Sequence, residues 1–553
     1  MDNRPWLAHY PPGIAANIDE NKHTDLVSFM KDQIKLYDKQ EAFECFGKSL
    51  TYRELDKLAD KFAGYLQSRG LEKGDRIAVM MPNLLQYPVA LIGALRAGLI
   101  VVNTNPLYTP PEMKHQFTDS AVKAIVIAEN FAANLEKIIG ETSINVIITT
   151  SIGEMLGGIK GGFINFMVKT VKGGVPKYNL DNTISFKEAL SLGGKFKLKP
   201  VESNPEDVIL HQYTGGTTGI SKGAMLTNKN ILSNIQQIRG WMSTTLTDGK
   251  EVMLTPLPLY HIFAFTVNFL GMMSFGVKNV LVTNPRDIKG LVKEFTKNKI
   301  SVVTGVNTLF QAMLANDEFR ALDHSSLKVT VGGGMAVQDA IAIDWEKVTQ
   351  CKLSEGYGMT EASPVVSVNP IDGSARLGYA GMPLPSTDVR IMKDDGTIGA
   401  TGENGELQVK GPQVMKGYYN QPEATREAIV DGWLNTGDIA QLDEKGYIKI
   451  VDRKKDMILV SGFNVFPNEI ENTLMQHPKI AELAAVGIPS EKSGECVKIF
   501  VVKKDKSLKE DELMQYAREN MTGYKVPKEI EFVKELPKSN VGKILRRKLR
   551  DGE

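Results

Sequence analysis

The sequence predicts an α/β fold: a large N-terminal domain of mostly parallel sheets flanked by helices, a small β-rich subdomain within it, and a small α+β domain at the C-terminus. Three patterns support this prediction. Helix-like segments alternate with short apolar runs in the first part of the chain. Short strands with turn signals follow, and a charged segment then precedes roughly a hundred further residues.

The composition is that of a folded protein with more than one domain. At 553 residues the chain exceeds a single domain of about 100–200 residues, and 42% hydrophobic with 24% charged residues excludes wholesale disorder. Lys and Arg number 66 against 65 for Asp and Glu, so the net charge is +1. This balance argues against a nucleic-acid partner, and any anionic ligand needs a local site.

The alternation of helices and strands begins at Thr51. Glu54 stands three residues later, which is the capping-box spacing, and apolar residues then recur at helical intervals. Apolar runs at 76–81, 100–102 and 124–127 predict strands separated by helices. This order favours a parallel sheet, in which ligands bind beyond the carboxyl ends of the strands.

The same alternation resumes over 280–334, and its character changes after about Leu377 to short strands with Asp- and Gly-rich turns. We therefore predict an N-terminal domain at 1–454, with a β-rich subdomain at about 377–454, and a C-terminal domain at 455–553.

The C-terminal domain contains strand patterns at 484–486 and 497–502 and a helical pattern at 509–519. The charged run Asp452 to Asp456 that precedes it is typical of a linker between domains.

The cysteines and the hydropathy pattern predict the cellular location. Cys45, Cys351 and Cys496 are too far apart in sequence for a CxxC metal cluster or a disulfide framework, which favours a reducing compartment. The sequence shows neither a signal-peptide pattern nor an apolar run of about 18 residues, so we expect a soluble, cytoplasmic protein. The segment 161–178 is apolar and basic and suits peripheral contact with an anionic membrane. The interpretation that we favour is an amphipathic helix packed on the protein.

The segment 213–223, YTGGTTGISKG, has the chemistry of a phosphate-binding loop. Glycines let backbone N–H groups approach an anion, threonine hydroxyls bind phosphate oxygens or Mg²⁺, and lysine supplies a positive charge. The loop is not a Walker A motif, because Lys222 follows Ser221 and precedes Gly223.

Further motifs extend this pattern along nearly the whole chain. They are LPLYHIFA at 257–264, GGG at 332–334, EGYGMTE at 355–361, DGWLNTGDIAQLDEKGYIKIVDRKK at 431–455, SGFNVFPNEIE at 461–471 and PKSNVGK at 537–543. In this order, after the phosphate loop, they resemble the adenylate-forming superfamily, and within it the long-chain fatty acyl-CoA synthetases. MMPNLLQYPVA at 80–90 and NPLYTPPE at 105–112 are similar to the bacterial members.

The resemblance implies a ligase with two half-reactions. A fatty-acid carboxylate attacks the α-phosphate of ATP and releases pyrophosphate, and the thiol of CoA then displaces AMP from the acyl-adenylate. Mg²⁺ is the implied cofactor, ATP and CoA are co-substrates, and the product would serve β-oxidation or lipid synthesis. Acyl-chain preference and oligomeric state, monomer or homodimer, are left open.

The resemblance also implies a set of site residues. The catalytic residues would be Lys543, Glu361, Thr360 and His261, with Thr214 and Glu361 holding Mg²⁺. The nucleotide site would consist of Tyr213, Thr214, Gly215, Gly216, Thr217, Thr218, Gly219, Lys222, Gly332, Gly333, Gly334, Glu355, Gly356, Tyr357, Gly358, Asp438 and Arg453. The C-terminal domain would be a mobile lid hinged at Lys455, and the CoA-binding residues would be Ser461, Gly462 and Phe463.

Within this set, Lys543 would bridge the carboxylate and the α-phosphate, and Asp438 and Arg453 would hold the ribose. His261 would border the acyl pocket, although a histidine beside apolar residues is more often a core residue. The residues 302–309, with Phe263, Phe265 and Phe269, are candidates for an acyl tunnel and are equally suited to an ordinary core.

Other functions are compatible with parts of this pattern. One alternative is a medium-chain or aryl acid:CoA ligase, and another is an acyl-AMP ligase that loads a carrier protein. A third is a nonenzymatic lipid- or nucleotide-binding protein, which is disfavoured because the charged residues of the motifs are present.

Overall fold

The computed structural model describes residues 4–171, 173–214, 221–461, 463–490, 492–539 and 544–551. The helix predicted from Thr51 spans Tyr52–Ser68. Both halves of the capping box form, because the Thr51 hydroxyl accepts from the Glu54 N–H and the Glu54 carboxylate accepts from the Thr51 N–H. The local signal at this position therefore predicted both the helix and its first residue.

The strands of the described ranges are numbered along the chain. They are β1 (Glu41–Cys45), β2 (Lys48–Thr51), β3 (Arg76–Met80), β4 (Ile100–Asn103), β5 (Ala124–Ala128), β6 (Val146–Thr150), β7 (Thr183–Ser185), β8 (Val208–Thr214), β9 (Lys222–Thr227), β10 (Val252–Thr255), β11 (Lys278–Leu281), β12 (Val302–Gly305), β13 (Val329–Gly332), β14 (Leu353–Gly358), β15 (Val365–Val368), β16 (Met382–Pro383), β17 (Asp388–Met392), β18 (Gly405–Lys410), β19 (Gly417–Tyr418), β20 (Ile429–Val430), β21 (Trp433–Leu442), β22 (Ile448–Arg453), β23 (Ile458–Val460), β24 (Phe463–Val465), β25 (Ile480–Ser490), β26 (Gly494–Lys503) and β27 (Glu529–Val533).

The α-helices are numbered in the same way. They are α1 (Leu26–Leu36), α2 (Tyr52–Ser68), α3 (Gln86–Arg96), α4 (Pro110–Asp119), α5 (Ala132–Glu136), α6 (Gly158–Phe166), α7 (Phe186–Gly193), α8 (Asn228–Met242), α9 (Ile288–Lys297), α10 (Asn307–Leu314), α11 (Asp317–Arg320), α12 (Asp339–Thr349), α13 (Pro422–Ala428), α14 (Pro467–Leu474), α15 (Glu510–Asn520) and α16 (Arg546–Asp551).

Two large sheets build most of the N-terminal part. The first has the strand order β16-β15-β14-β13-β12-β10-β11-β1-β2, and the second has the order β19-β9-β8-β4-β3-β5-β6-β7. In the first sheet β1 and β10 to β14 are parallel, and in the second β3 to β8 are parallel. The antiparallel strands lie at the edges of both sheets. The prediction of mostly parallel sheets with helices is confirmed.

One hydrophobic core joins the two sheets. It contains Val79 and Val101 from the second sheet, Val302 and Val331 from the first, and Trp241 from α8. Because the sheets share this core, the carboxyl ends of β8, β13 and β14 are held in a fixed relation to one another. The predicted phosphate loop and the GGG and EGYGMTE motifs lie at or directly after those ends.

The β-rich part and the C-terminal part form their own sheets. Strands β17, β18, β20, β21 and β22 are all antiparallel. In the last sheet β27 is parallel to β26 and the other pairs are antiparallel. The C-terminal hydrophobic core begins at Ile458, and Ile450 is the last residue packed against the large core. The boundary predicted at 454/455 lies between these two residues.

The apolar and basic segment at 161–178 begins in α6 and continues through a π-helical turn, Met167–Val171. One face is packed, since Gly161 is buried and an added Cβ would lie 2.3 Å from the Gly153 carbonyl oxygen. The opposite face exposes large apolar side chains: Ile159 (93%), Phe163 (62%), Phe166 (56%) and Val171 (60%). In the described ranges, no helix combines the length and the apolar character needed to span a bilayer.

The packing of α7 on α2 makes a testable prediction. A Cβ on Gly193 would lie 1.8 Å from the Lys61 carbonyl oxygen, whereas a Cβ on Gly194 would have no neighbour closer than 3.5 Å. Gly193→Ala should therefore lower the free energy of unfolding by about 1–3 kcal/mol, seen as a lower urea midpoint. Gly194→Ala is the control and should leave the midpoint near that of the parent protein. Equal midpoints for the two variants would show that the helices do not pack this closely.

Candidate functional site

A cavity of about 1930 Å³ lies where the predicted motifs converge. Its walls include residues at the carboxyl ends of β8 and β14, residues from the antiparallel subdomain, and residues of the C-terminal domain after position 537. A volume of this size exceeds that of a typical small-ligand pocket of about 300–1,000 Å³, so there is room for more than one substrate.

The two ends of the predicted phosphate loop lie together at one wall of the cavity. Thr214 ends β8 and Lys222 begins β9, and these two residues are paired across the antiparallel ladder. Both line the cavity. The predicted nucleotide-binding residues between them lie outside the described residues: Gly215, Gly216, Thr217, Thr218 and Gly219.

Helix α4 contacts the residues on both sides of this loop, Tyr213 and Ser221. The Tyr213 hydroxyl donates to the Asp119 carboxylate, and the His115 Nε2 lies 2.9 Å from the carbonyl oxygen of Ser221. His115 lines the cavity and was missed by the sequence analysis. The similarity noted at NPLYTPPE ended three residues before it, and no local pattern marked this histidine.

Tyr418 contacts both Glu361 and Lys222. The Tyr418 hydroxyl donates to Glu361 Oε1 at 2.7 Å, and the Lys222 Nζ lies 5.2 Å from the centre of the Tyr418 ring. Burial, followed by the charge of Glu361, raises the pKa of Tyr418, so its hydroxyl remains a proton donor. Thr360 lines the cavity beside Glu361.

The donor atoms near the phosphate loop suit a magnesium ion. Thr214 offers a hydroxyl and Glu361 a carboxylate, both on the cavity wall. Mg²⁺ usually takes one or two protein oxygens and keeps several waters. In the described part of the chain no cluster of three or more His, Cys, Asp or Glu side chains is arranged to bind a metal. The Thr214 hydroxyl and the Glu361 carboxylate are suitable oxygen donors for such an ion.

Asp438 is the centre of a second polar cluster. It is 4% exposed, accepts a hydrogen bond from the Tyr357 hydroxyl at 2.5 Å and forms an ion pair with Arg453 at 3.0 Å. Asp438 and Arg453 are also paired across β21 and β22. Tyr357 and Arg453 line the cavity, as do Thr436 and Gly437 of β21, whereas Asp438 itself lies behind these residues and is not on the wall.

The glycine-rich strand ends differ in their access to the cavity. The predicted nucleotide-binding residues that line it here are Gly333, Gly334, Gly356, Tyr357 and Gly358, whereas Gly332 and Glu355 do not. The Glu355 carboxylate instead accepts from the backbone N–H of Val337 at 3.1 Å, and burial raises its pKa to about 8. Glu355 thus has a structural role in holding the loop after β13.

The C-terminal domain contributes the opposite wall. Lys543, the predicted adenylation lysine, lies outside the described residues. Residues on both sides of it, Lys538, Ser539, Ile544 and Leu545, line the cavity. The segment that carries Lys543 therefore starts and ends at the site.

A charged cluster joins this segment to the predicted hinge. The Arg546 guanidinium bonds the Glu471 carboxylate at 2.8 Å and lies 3.6 Å from the carboxylate of Asp456. Lys455 lines the cavity, and its Nζ is buried without a hydrogen-bond partner among the described residues. Burial lowers the pKa of Lys455 to about 8.

The predicted CoA-binding residues lie elsewhere. Ser461 and Phe463 do not line the cavity, and Gly462 is outside the described residues. Phe463 is 55% exposed and stacks on Tyr524 with the ring centres 4.7 Å apart. In the orientation described, the residues on both sides of the Lys543 segment, Ser539 and Ile544, line the cavity and Phe463 does not.

Apolar side chains make up part of the cavity wall, and we call this part the apolar branch. The His261 Nδ1 accepts from the Phe263 N–H, and both residues line the cavity. Phe265 and Phe269, which were also candidates for an acyl tunnel, are buried in the core and are not on the wall. The sequence analysis missed most of the branch: Ile238, Trp241, Met242, Val267, Val331, Val365, Val368 and Leu384.

Comparisons with known proteins agree with this arrangement. Residues 30–419 match the family described as AMP-binding enzyme, and residues 469–543 match the AMP-binding enzyme C-terminal domain. The chain is 54% identical over 547 residues to the long-chain-fatty-acid--CoA ligase of Escherichia coli O157:H7, covering 99% of this chain and 98% of that protein. It is 38% identical to the protein of the same name from Bacillus subtilis strain 168, covering 100% and 99%.

Among solved structures, the fold is similar to ATP-bound MatB from Rhodopseudomonas palustris. The TM-score is 0.83 at 26% identity, covering 95% of this chain and 98% of that one.

The Asp438 cluster makes a prediction for nucleotide binding. Asp438→Asn keeps the shape of the side chain but removes the charge that would accept ribose hydroxyls, so the dissociation constant for MgATP should rise at least about tenfold. The measurement is titration calorimetry. The control is Asp443→Asn, because Asp443 pairs with Arg376 at 2.5 Å and, unlike the Asp438 partner Arg453, Arg376 does not line the cavity. Equal affinities for both variants and the parent protein would refute the assignment.

Proposed function

The chain belongs to the AMP-binding enzyme family, and from that premise we propose that it ligates a long-chain fatty acid to CoA through an acyl-adenylate, using ATP and releasing AMP and pyrophosphate. The observation that carries this proposal is the near-complete alignment, at 54% identity, with proteins named long-chain-fatty-acid--CoA ligase. The cavity supports it, because its wall combines residues with phosphate-binding chemistry and a set of apolar side chains.

The first half-reaction joins two anions. A carboxylate oxygen of the fatty acid attacks the α-phosphorus, a new C(O)–O–P bond forms, and the bond to the β-phosphate breaks with its electron pair leaving on pyrophosphate. Two unit charges about 4 Å apart repel by roughly 4 kcal/mol at an effective dielectric constant of 20. Cations around the reacting atoms must offset this repulsion before bond formation.

Residues on the cavity wall, or directly behind it, are candidates for binding the parts of the nucleotide. We assign Lys222 and the loop before it to the β- and γ-phosphates, and Asp438 with Arg453 to the ribose. Thr360 would contact the α-phosphate or the activated carboxyl. Mg²⁺, held by Thr214 and Glu361, would neutralise phosphate charge when bound.

Lys543 would supply the remaining cation. The described residues on either side of it, Lys538 and Ile544, line the cavity, which supports a position of the Lys543 ammonium near the α-phosphate. The ammonium would stabilise the charge of the pentacovalent transition state.

The second half-reaction would use the part of the C-terminal domain that contains Phe463. The CoA thiol sulfur attacks the acyl carbon, AMP leaves, and the thiol proton is lost. Phe463 is outside the cavity in this orientation, so rotation about Lys455 would bring it in and carry Lys543 away.

The apolar branch suits an aliphatic chain. Trp241, Met242 and Leu384 lie on its wall with other apolar side chains, and each buried methylene of a substrate would contribute about 0.8 kcal/mol. Such a wall favours a long acyl chain over a short one.

The test of the proposed function is product formation with purified protein, MgATP and acids from acetate to oleate, with and without CoA. We expect pyrophosphate, AMP and acyl-CoA with palmitate or oleate, and about tenfold or more lower kcat/KM for each removal of two or three buried methylenes. Best turnover with benzoate or octanoate would support the aryl or medium-chain alternative. Transfer only to a carrier protein would support an acyl-AMP ligase, and absence of acyl-adenylate with every acid would refute the proposal.

We also propose that the exposed face of α6 contacts an anionic membrane, which is the source of a poorly soluble substrate. Ile159, Phe163 and Phe166 form its apolar part, and the sequence from 155 to 180 contains four lysines and no acidic residue. The Lys160 Nζ donates to the Phe46 carbonyl, which places a further exposed aromatic residue beside this face. Apolar side chains in a segment whose own charged residues are all lysines match a surface of anionic lipids.

Vesicle binding tests the membrane proposal. Phe163→Ser should reduce co-sedimentation with phosphatidylglycerol vesicles by about tenfold, because one buried phenyl ring is lost from the interface. Ile398→Ser is the control, since Ile398 is 64% exposed in the β-rich subdomain. Parent protein that stays in the supernatant, or equal losses in both variants, would rule out this face.

A further inference from the structure

The motif MMPNLLQYPVA at 80–90 has no part in the chemistry proposed above, yet two of its polar side chains are buried against a single loop. Asn83 is 3% exposed and Tyr87 is 0% exposed. The loop runs from Pro256 to His261, between β10 and the helical segment that follows, and it brings His261 to the cavity.

Asn83 cross-links three residues of this loop region. Its Nδ2 donates to the carbonyl oxygens of Thr255 and Leu257, at 3.0 and 2.9 Å. Its Oδ1 accepts from the N–H of Leu259 at 2.8 Å. Reversing the amide would place its NH₂ group against the N–H of Leu259, so the orientation of the side chain is fixed by its partners.

Tyr87 begins a second arm of the same network. Its hydroxyl lies 2.8 Å from the Leu259 carbonyl oxygen and 2.7 Å from Asn103 Oδ1. The Asn103 amide donates to Gln212 Oε1 at 3.1 Å, and the Gln212 amide donates to the carbonyl oxygen of Tyr260 at 3.1 Å. The two arms therefore reach successive residues immediately before His261.

The loop depends on these side chains for its path. It has no regular secondary structure, so its buried carbonyls need partners from elsewhere in the molecule. The His261 N–H bonds the Pro258 carbonyl at 3.0 Å, and the remaining carbonyls from Leu257 to Tyr260 accept from the network. A hydrogen-bonded network of this kind specifies one main-chain path, which apolar packing alone does not.

We propose that Asn83 and Tyr87 are positioning residues, and that they act through the loop to set the place of His261 and Phe263 in the cavity wall. Phe263 borders the predicted nucleotide site as well as the apolar branch, since a Cβ added to the nucleotide-site residue Gly333 would be 2.9 Å from the Phe263 ring. The inference rests on the proposed function and deepens it, because it assigns the motif at 80–90 to the alignment of the fatty acid.

The inference predicts a selective kinetic effect. The groups assigned to ATP, such as Asp438, Arg453 and Lys222, lie on β9, β21 and β22 and receive no bond from Asn83 or Tyr87. Loosening the loop should therefore impair use of the fatty acid while leaving the use of ATP nearly unchanged.

The test compares Tyr87→Phe, Asn83→Ala and Gln86→Ala in the full-length enzyme with palmitate, MgATP and CoA. Tyr87→Phe removes one hydroxyl and keeps the ring, and it should lower kcat/KM for palmitate about fivefold with KM for ATP within about twofold of the parent value. Asn83→Ala should lower kcat/KM for palmitate about tenfold or more.

Gln86→Ala is the matched control. Gln86 is 1% exposed and donates to Thr150 Oγ1 and to the Ser151 carbonyl at 2.9 and 3.0 Å, away from the loop. It should lower the urea midpoint as Asn83→Ala does, but leave the palmitate kinetics near those of the parent protein.

Three results would overturn the positioning role. They are unchanged palmitate kinetics in Tyr87→Phe, parallel losses for palmitate and ATP, and the same palmitate defect in Gln86→Ala. If Asn83→Ala does not fold, Tyr87→Phe decides the question. Inactive parent protein would instead refute the proposed function, so the two failures are distinguishable.

Discussion

The repulsion between a carboxylate and a triphosphate is the constraint on which the architecture depends. Positive charge must converge on one point of the cavity, and no single element can supply it there. Lys222 comes from β9 in the N-terminal domain, whereas the segment that carries Lys543 comes from the C-terminal domain. In the proposed mechanism the reaction therefore uses two domains that meet at the cavity and that can also separate from it.

The charged residues around the hinge fit this requirement. Arg546 bonds Glu471 within its own domain and lies near Asp452, at the end of the predicted N-terminal domain, and near Asp456, just after the predicted boundary. Burial raises the pKa of Asp452 to about 6, although Arg546 opposes that rise. Ion pairs of this kind are directional but weaker than a hydrophobic core, and so they can hold one domain orientation without making it permanent.

Sequence patterns predicted the elements that have local signals. The capping box at Thr51 and Glu54 marked the start of α2, and the strand patterns at 484–486 and 497–502 lie within β25 and β26. The residues missed are those whose role depends on distant contacts. Tyr418 and Glu361 are 57 positions apart in the sequence. The hydrogen bonds between Asn83 and the loop at 257–259 join residues that are more than 170 positions apart.

The apolar residues show a second limit of prediction from the sequence. Phe263 and Phe265 stand in one aromatic run, yet only Phe263 lines the cavity while Phe265 is core. Trp241 lines the apolar branch. Its position in the apolar pattern of α8 does not differ from that of the other buried residues of this helix. Composition and hydrophobic periodicity predict that a side chain is buried. Which of the buried apolar side chains border the cavity depends on how the sheets and helices pack.

The most direct test of the two-domain account is a comparison of the separate half-reactions in Lys543→Ala. The account predicts that palmitate-dependent ATP–pyrophosphate exchange falls at least about a hundredfold, while supplied palmitoyl-AMP and CoA are still converted to thioester. Lys525→Ala is the control, because Lys525 forms an ion pair with Glu469 within the C-terminal domain. Equal loss of both half-reactions in Lys543→Ala, or loss of neither, would contradict the delivery of a mobile cation to the cavity.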